Sequence, residues 1–219
     1  MFIGHFALGF AAKRAAPRAS LAVLFGAAQF ADLLWPLLLA FGVEQVRIDP
    51  GNTAFTPLDF VSYPYSHSLL MLGIWGGLFA WVFRAPSRPR RALFLAALVV
   101  SHWVLDFVTH RPDMPLYPGG PKVGLGLWES VPATVVIEAV MFVAGVWVYA
   151  SCTRARDRIG RWGFVGLTAL FVLAYVGNLT SPPPPSVNAI VVISIIGASV
   201  TMWLTWWVDR HRESTCLTR

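Results

Sequence analysis

The chain has 219 residues, of which 56% are hydrophobic and 13% charged, and its net charge is +6. Soluble domains carry about 25% charged residues, so this composition excludes a disordered chain and a water-soluble globule alike. In a membrane protein excess arginine reports orientation, and no nucleic-acid partner is inferred from the charge.

The first element in chain order is an apolar segment, Met1–Ala12, followed by Lys13 and Arg14. About 12 residues cannot span a bilayer, and charges that follow the apolar stretch do not make a signal peptide. The segment reads as a half-length helix, re-entrant or packed on a bundle. Apolar windows then fall at about 19–41, 66–84, 92–109, 131–151, 162–180 and 188–208. Each matches the ~20 residues that cross a membrane. The expected fold is all-α: one polytopic membrane helix bundle over 1–219, with six transmembrane helices plus the short N-terminal half-helix. Residues 1–115 form a site-bearing half with three spans, and 116–219 supply three scaffold spans.

All of the 17 basic residues except Arg47, Arg111 and Lys122 fall on one side of this topology. They precede span 1, join spans 2 and 3 (Arg84, Arg88, Arg90, Arg91), join spans 4 and 5, and follow span 6 (Arg210, Arg212, Arg219). The basic side is expected to be cytoplasmic, which makes this a multi-pass protein of the cytoplasmic (inner) membrane with both termini inside. Its immediate partner is the lipid bilayer. Cys152 and Cys216 form neither a disulfide framework nor a CxxC metal site, and both are expected to face a reducing compartment. Oligomeric state is not legible. The longer connections, at about 42–65 and 110–130, lie on the outer side, where Asp49 and Asp59 are expected to be solvated.

Ionisable groups inside spans cost roughly 2.5–3.5 kcal/mol each on insertion scales, so they face the bundle interior and mark function. Asp32 lies in span 1, His102 and Asp106 in span 3 and Glu138 in span 4, while the interiors of spans 5 and 6 hold none. His67 opens span 2, His110 closes span 3 and His5 sits in the half-helix. His102, Asp106 and His110 advance by about 40° per four residues and share a helix face. Imidazole and carboxylate together suit Zn²⁺, Mn²⁺ or Fe²⁺. A His–Asp hydrogen bond within the core is the simpler reading of that motif alone. Depth favours the metal. At ~1.5 Å per residue, His102, Asp32 and Asp106 stand ~16, ~20 and ~22 Å from the basic side, with His67 at the outer mouth. His5 reaches ~12 Å by the same count. His110 reads equally as an interfacial bystander or as a neighbour that shuttles protons. Glu138 reads as the partner of a polar neighbour, and Ser66 and Ser68 as caps.

Gly4-His5, Asp32, Ser66-His67-Ser68 and His102-Trp-Val-Leu-Asp106-Phe-Val-Thr, in that order, resemble the inner-membrane metal-dependent hydrolases first noted through a LexA-regulated member. The resemblance covers about residues 1–110. It implies that His5, Asp32, His67, His102 and Asp106 are metal ligands or their close neighbours. Two features depart from the family pattern: a single Asp32 stands where a Pro-Asp-x-Asp pair is usual, and Tyr63-Pro-Tyr-Ser66-His67-Ser68 lacks the usual arginine.

The expected activity is metal-dependent hydrolysis of a lipid or phosphoester in the outer half of the bundle. The cofactor is a divalent ion, zinc ahead of manganese or iron, and His110 is the candidate catalytic base. The alternative is a metal-ion or proton transporter, or a metal-binding membrane protein, without hydrolase activity.

Overall fold

The computed structural model describes residues 1–83 and 89–216. Arg84, Arg88 and Arg219, which contribute to the charge asymmetry, lie outside them. The described residues form mostly helix: α1 (Ile3–Ala15), α2 (Leu21–Ala28), α3 (Phe30–Ala40), α4 (Pro64–His67), α5 (Leu69–Val82), α6 (Pro89–Thr109), α7 (Val131–Cys152), α8 (Arg158–Thr180) and α9 (Val187–Arg210). Helix starts follow from local chemistry. Ser20, Ser68, Ser130, Asp157 and Ser186 each accept the backbone N–H three residues on, at the heads of α2, α5, α7, α8 and α9, which satisfies a donor that a helix otherwise leaves open.

The six expected spans become four continuous ones. Among the described residues α6, α7, α8 and α9 are long and apolar enough to cross a membrane, or five spans if α2 and α3 count as one. Two expectations are corrected here. The window 19–41 is not one helix but α2 and α3, bent by 61° at Gln29. The window 66–84 divides into the single turn α4 and the 14-residue α5, broken at Ser68, whose backbone is extended (ψ 147°). At 1.5 Å per residue α5 covers only about 21 Å, short of a ~30 Å hydrocarbon core.

The purely helical expectation is also corrected. Three two-stranded antiparallel sheets tie the connections: β1 (Gln45–Ile48) with β2 (Leu58–Ser62), β3 (Met114–Pro115) with β4 (Lys122–Val123), and β5 (Thr153–Ala155) with β6 (Arg212–Ser214). Pairing of β5 with β6 aligns Thr153 with Ser214 and brings the flanking cysteines together. Cys152 and Cys216 are joined by a disulfide across 64 residues, so they are not the separate thiols expected from charge placement. Asp59 is not solvated either. It is 8% exposed and accepts from Arg47 at 2.6 Å and Arg111 at 2.9 Å.

Helix α1 lies along α7, close enough that a Cβ on Gly145 would stand 2.3 Å from the Ala7 carbonyl oxygen. On its other side it meets α2 and α6. One apolar cluster gathers around α2, α3, α5 and α6, and a second, rich in phenylalanine, around α1, α7 and α8. Helices α7 to α9 present most of their apolar surface outward, at Trp147, Leu173 and Ile193 for example, as helices facing lipid do.

Candidate metal centre

Four ligand atoms converge where α3, α4 and α6 meet. His102 Nε2 lies 3.2 Å from Asp106 Oδ2 and 3.7 Å from Asp32 Oδ1, and His67 Nε2 lies 3.5 Å from Asp32 Oδ1 and 3.9 Å from Asp106 Oδ2. Ligands on a tetrahedral zinc at 2.0–2.1 Å stand about 3.3–3.4 Å from one another. The observed separations bracket that value. His102 Nε2 is buried with no hydrogen-bond partner, which costs free energy unless something accepts its lone pair. The donor set and this orphaned nitrogen both fit a divalent ion.

Neighbouring groups accept from Nδ1 of both imidazoles, which turns Nε2 toward the carboxylates. His102 Nδ1 donates to the Ala28 carbonyl at 2.9 Å. That carbonyl is available because the helix breaks one residue later, at Gln29. Ser66 Oγ donates to Glu44 Oε2 at 2.6 Å, so its lone pair accepts from His67 Nδ1 at 2.7 Å. Glu44 also accepts the backbone N–H groups of Tyr65 and Ser66. Such outer partners orient metal-binding histidines and raise their basicity.

His5 approaches from the half-helix. Its Nε2 is 3.0 Å from Asp106 Oδ1, and its ring stacks on His102 with centroids 3.7 Å apart. His5, His102 and Asp106 form a second group with ligand spacing, overlapping the group of Asp32, His67 and His102. The Met1 nitrogen also contacts Asp106 Oδ1. Glu138 accepts the backbone N–H groups of Phe2 and Gly4 at 3.0–3.2 Å, so it anchors the start of α1 and with it His5. The half of the chain expected to be scaffold thus positions the site.

Asp32 is the open side. Its side chain is 43% exposed, against 4% or less for His67, His102 and Asp106. Asp32, His67, Asp106 and His110 line one cavity of about 150 Å³. A larger groove of about 410 Å³ lies beside Glu44 and Arg47 and contains none of the candidate ligands.

His110 is buried and lines the smaller cavity. Its Nδ1 is 2.9 Å from Asp113 Oδ1, to which the Tyr63 hydroxyl also donates at 2.8 Å. Burial lowers the His110 pKa, against the pull of Asp113 and Asp106, and burial raises that of Tyr63, with Asp113 adding to the shift. Sequence reasoning overlooked Glu44 and Asp113, and the hydrogen bond from Tyr63 to Asp113. These residues stand in outer connections where nothing in the local pattern distinguishes them from solvated loop residues. Comparison with family models, with curated proteins and with solved structures finds no match.

Proposed function

We propose that the protein is an integral-membrane, metal-dependent hydrolase of the cytoplasmic membrane, acting on an ester or phosphoester that reaches it from the outer half of the bilayer. The observation that carries this reading is the triad of Asp32, His67 and His102, whose ligand atoms lie within 4.8 Å of one another, with the Asp32 side chain 43% exposed beside the cavity. Three protein ligands leave a tetrahedral ion one position for water, as in catalytic rather than structural zinc sites.

A divalent ion held there, with zinc the best match to the donors, supplies a bound water of lowered pKa and polarises the bond under attack. The protein does the rest. Asp106 approaches His5 through Oδ1 and His102 through Oδ2, so one carboxylate faces both stacked imidazoles. His110 lines the same cavity with Nδ1 bonded to Asp113, which leaves Nε2 to take the proton of the attacking water. Reach of the cavity is the geometric requirement for such a base.

Metal analysis of the detergent-purified protein tests the reading. Wild type is expected to hold a divalent ion, and His102→Ala and Asp106→Ala to bind it more than about 100-fold more weakly. Metal-free wild type, or full retention by both variants, would sink it. Hydrolysis of ester and phosphoester substrates then separates an enzyme from a carrier. Metal flux into proteoliposomes without hydrolysis would establish the carrier instead.

A further inference from the structure

The cavity lined by Asp32, His67 and Asp106 has a polar feature that metal chemistry does not use. Trp35, from α3, and Trp128, from the short turn before α7, both line it. They are 7% and 8% exposed, and the indole Nε1–H of each is buried without a partner. Both rings pack on Phe60, with centroids 5.5 Å (Trp35) and 6.1 Å (Trp128) from it. Each also sits beside a histidine of the site: Trp35 is 6.5 Å from His67 and Trp128 is 4.2 Å from His110, ring to ring. A buried indole N–H with no acceptor is costly, and tryptophan N–H groups in interiors nearly always find one. Two of them at one cavity call for an oxygen-rich occupant.

Charge narrows the occupant. Among the described residues no lysine or arginine lines the cavity, and the Met1 ammonium that does is already paired with Asp106, so no free protein cation there offsets the second negative charge of a phosphomonoester, and an unpaired buried charge is strongly disfavoured. A carboxylic ester offers only one carbonyl oxygen, which the ion itself would polarise. A phosphodiester carries a single charge and two non-bridging oxygens, one for the ion and one for neutral donors.

We propose that Trp35 and Trp128 are substrate-binding donors for a non-bridging oxygen of a phosphodiester, the class that includes phospholipids. This rests on the hydrolase reading of the same site. In the reaction the water oxygen bonds to phosphorus as the bond from phosphorus to the leaving oxygen breaks. The water proton passes to His110 and then to the leaving alkoxide, so atoms and charge balance.

Trp35→Phe and Trp128→Phe remove the N–H and keep an aromatic ring. Metal content, dimethyl phosphate binding and turnover of bis(p-nitrophenyl) phosphate, p-nitrophenyl phosphate and p-nitrophenyl acetate are measured on wild type and both variants. Wild type is expected to prefer the diester. Each variant should retain its metal and lose about tenfold in dimethyl phosphate affinity and in kcat/KM on the diester, with little change on the acetate. Metal-loaded variants equal to wild type in diester binding and turnover would overturn the role of the indoles. Preference of wild type for the monoester or the acetate would overturn the substrate class. If wild type holds no metal, the hydrolase reading fails separately. Dimethyl phosphate binding that is lost in the variants would still support the indoles, and absence of binding by wild type would overturn them.

Discussion

His67 and His102 both turn Nδ1 away from the cavity, one to Ser66 and the other to a main-chain carbonyl. The two arrangements differ in what they cost to build. The Ala28 carbonyl is set by the backbone, whereas the Ser66–Glu44 relay depends on two side chains and can be removed alone. Ser66→Ala and Glu44→Gln are expected to lower metal affinity by about 10–100-fold without displacing His67 itself. Metal titration of the folded variants checks this, and unchanged affinity would show that the relay serves only the loop. At this scale the sequence was informative about ligands and silent about their supports. His5, Asp32, His67, His102 and Asp106 stand out because charge inside an apolar span is expensive. Glu44 and Asp113 sit in connections where acidic residues are ordinary, and only packing shows them to be 2% and 8% exposed.

At the scale of elements, the site depends on breaks that hydropathy does not register. The windows 19–41 and 66–84 each average as apolar, yet the chain bends by 61° at Gln29 and turns sharply at Ser68. The first break frees a carbonyl for His102, and the second sets His67 on a one-turn helix below Asp32. Averaging hydrophobicity over about 19 residues detects length in lipid and not such a local change in backbone direction. The half-helix α1 was legible because it is too short to span, and its place against α7 rests on Gly145. Gly145→Ala would set a methyl group 2.3 Å from the Ala7 carbonyl oxygen and push α1 outward, at a cost of about 1–3 kcal/mol. A lower melting temperature together with weakened metal binding is expected. Gly166→Ala, which meets nothing within 4 Å, is the control. A Gly145→Ala protein with wild-type melting and metal affinity would show that the contact relaxes freely.

Across the whole molecule the two ends do different work. One carries the cavity and the ligands. The other carries most of the arginines, the β5–β6 pair and the Cys152–Cys216 disulfide, together with Lys13, buried against Asp209 at 2.9 Å while Tyr149 donates to the same carboxylate. Cross-linking at that end constrains the unfolded chain and touches no metal ligand. Cys152→Ser and Cys216→Ser are therefore expected to lower the melting temperature while leaving metal content unchanged. Thermal melts with parallel metal analysis check this, and metal loss in either variant would mean that the two ends are coupled. The pairing also qualifies the orientation argument. Arginine placement predicts a cytoplasmic position for this face, a compartment that keeps exposed thiols reduced, whereas Cys152 is fully buried.

Composition and position alone pointed to a membrane protein and put Asp32, His102 and Asp106, most of the ionisable residues within the apolar windows, in its first half. These follow from the free energy of placing polar groups in hydrocarbon, which acts on each residue separately. The number of continuous helices, the bend that frees Ala28, the supports around each histidine, the aromatic walls and the disulfide were decided by the tertiary structure. Each depends on groups far apart in the chain competing for the same space or the same hydrogen bond, and no local pattern records the outcome.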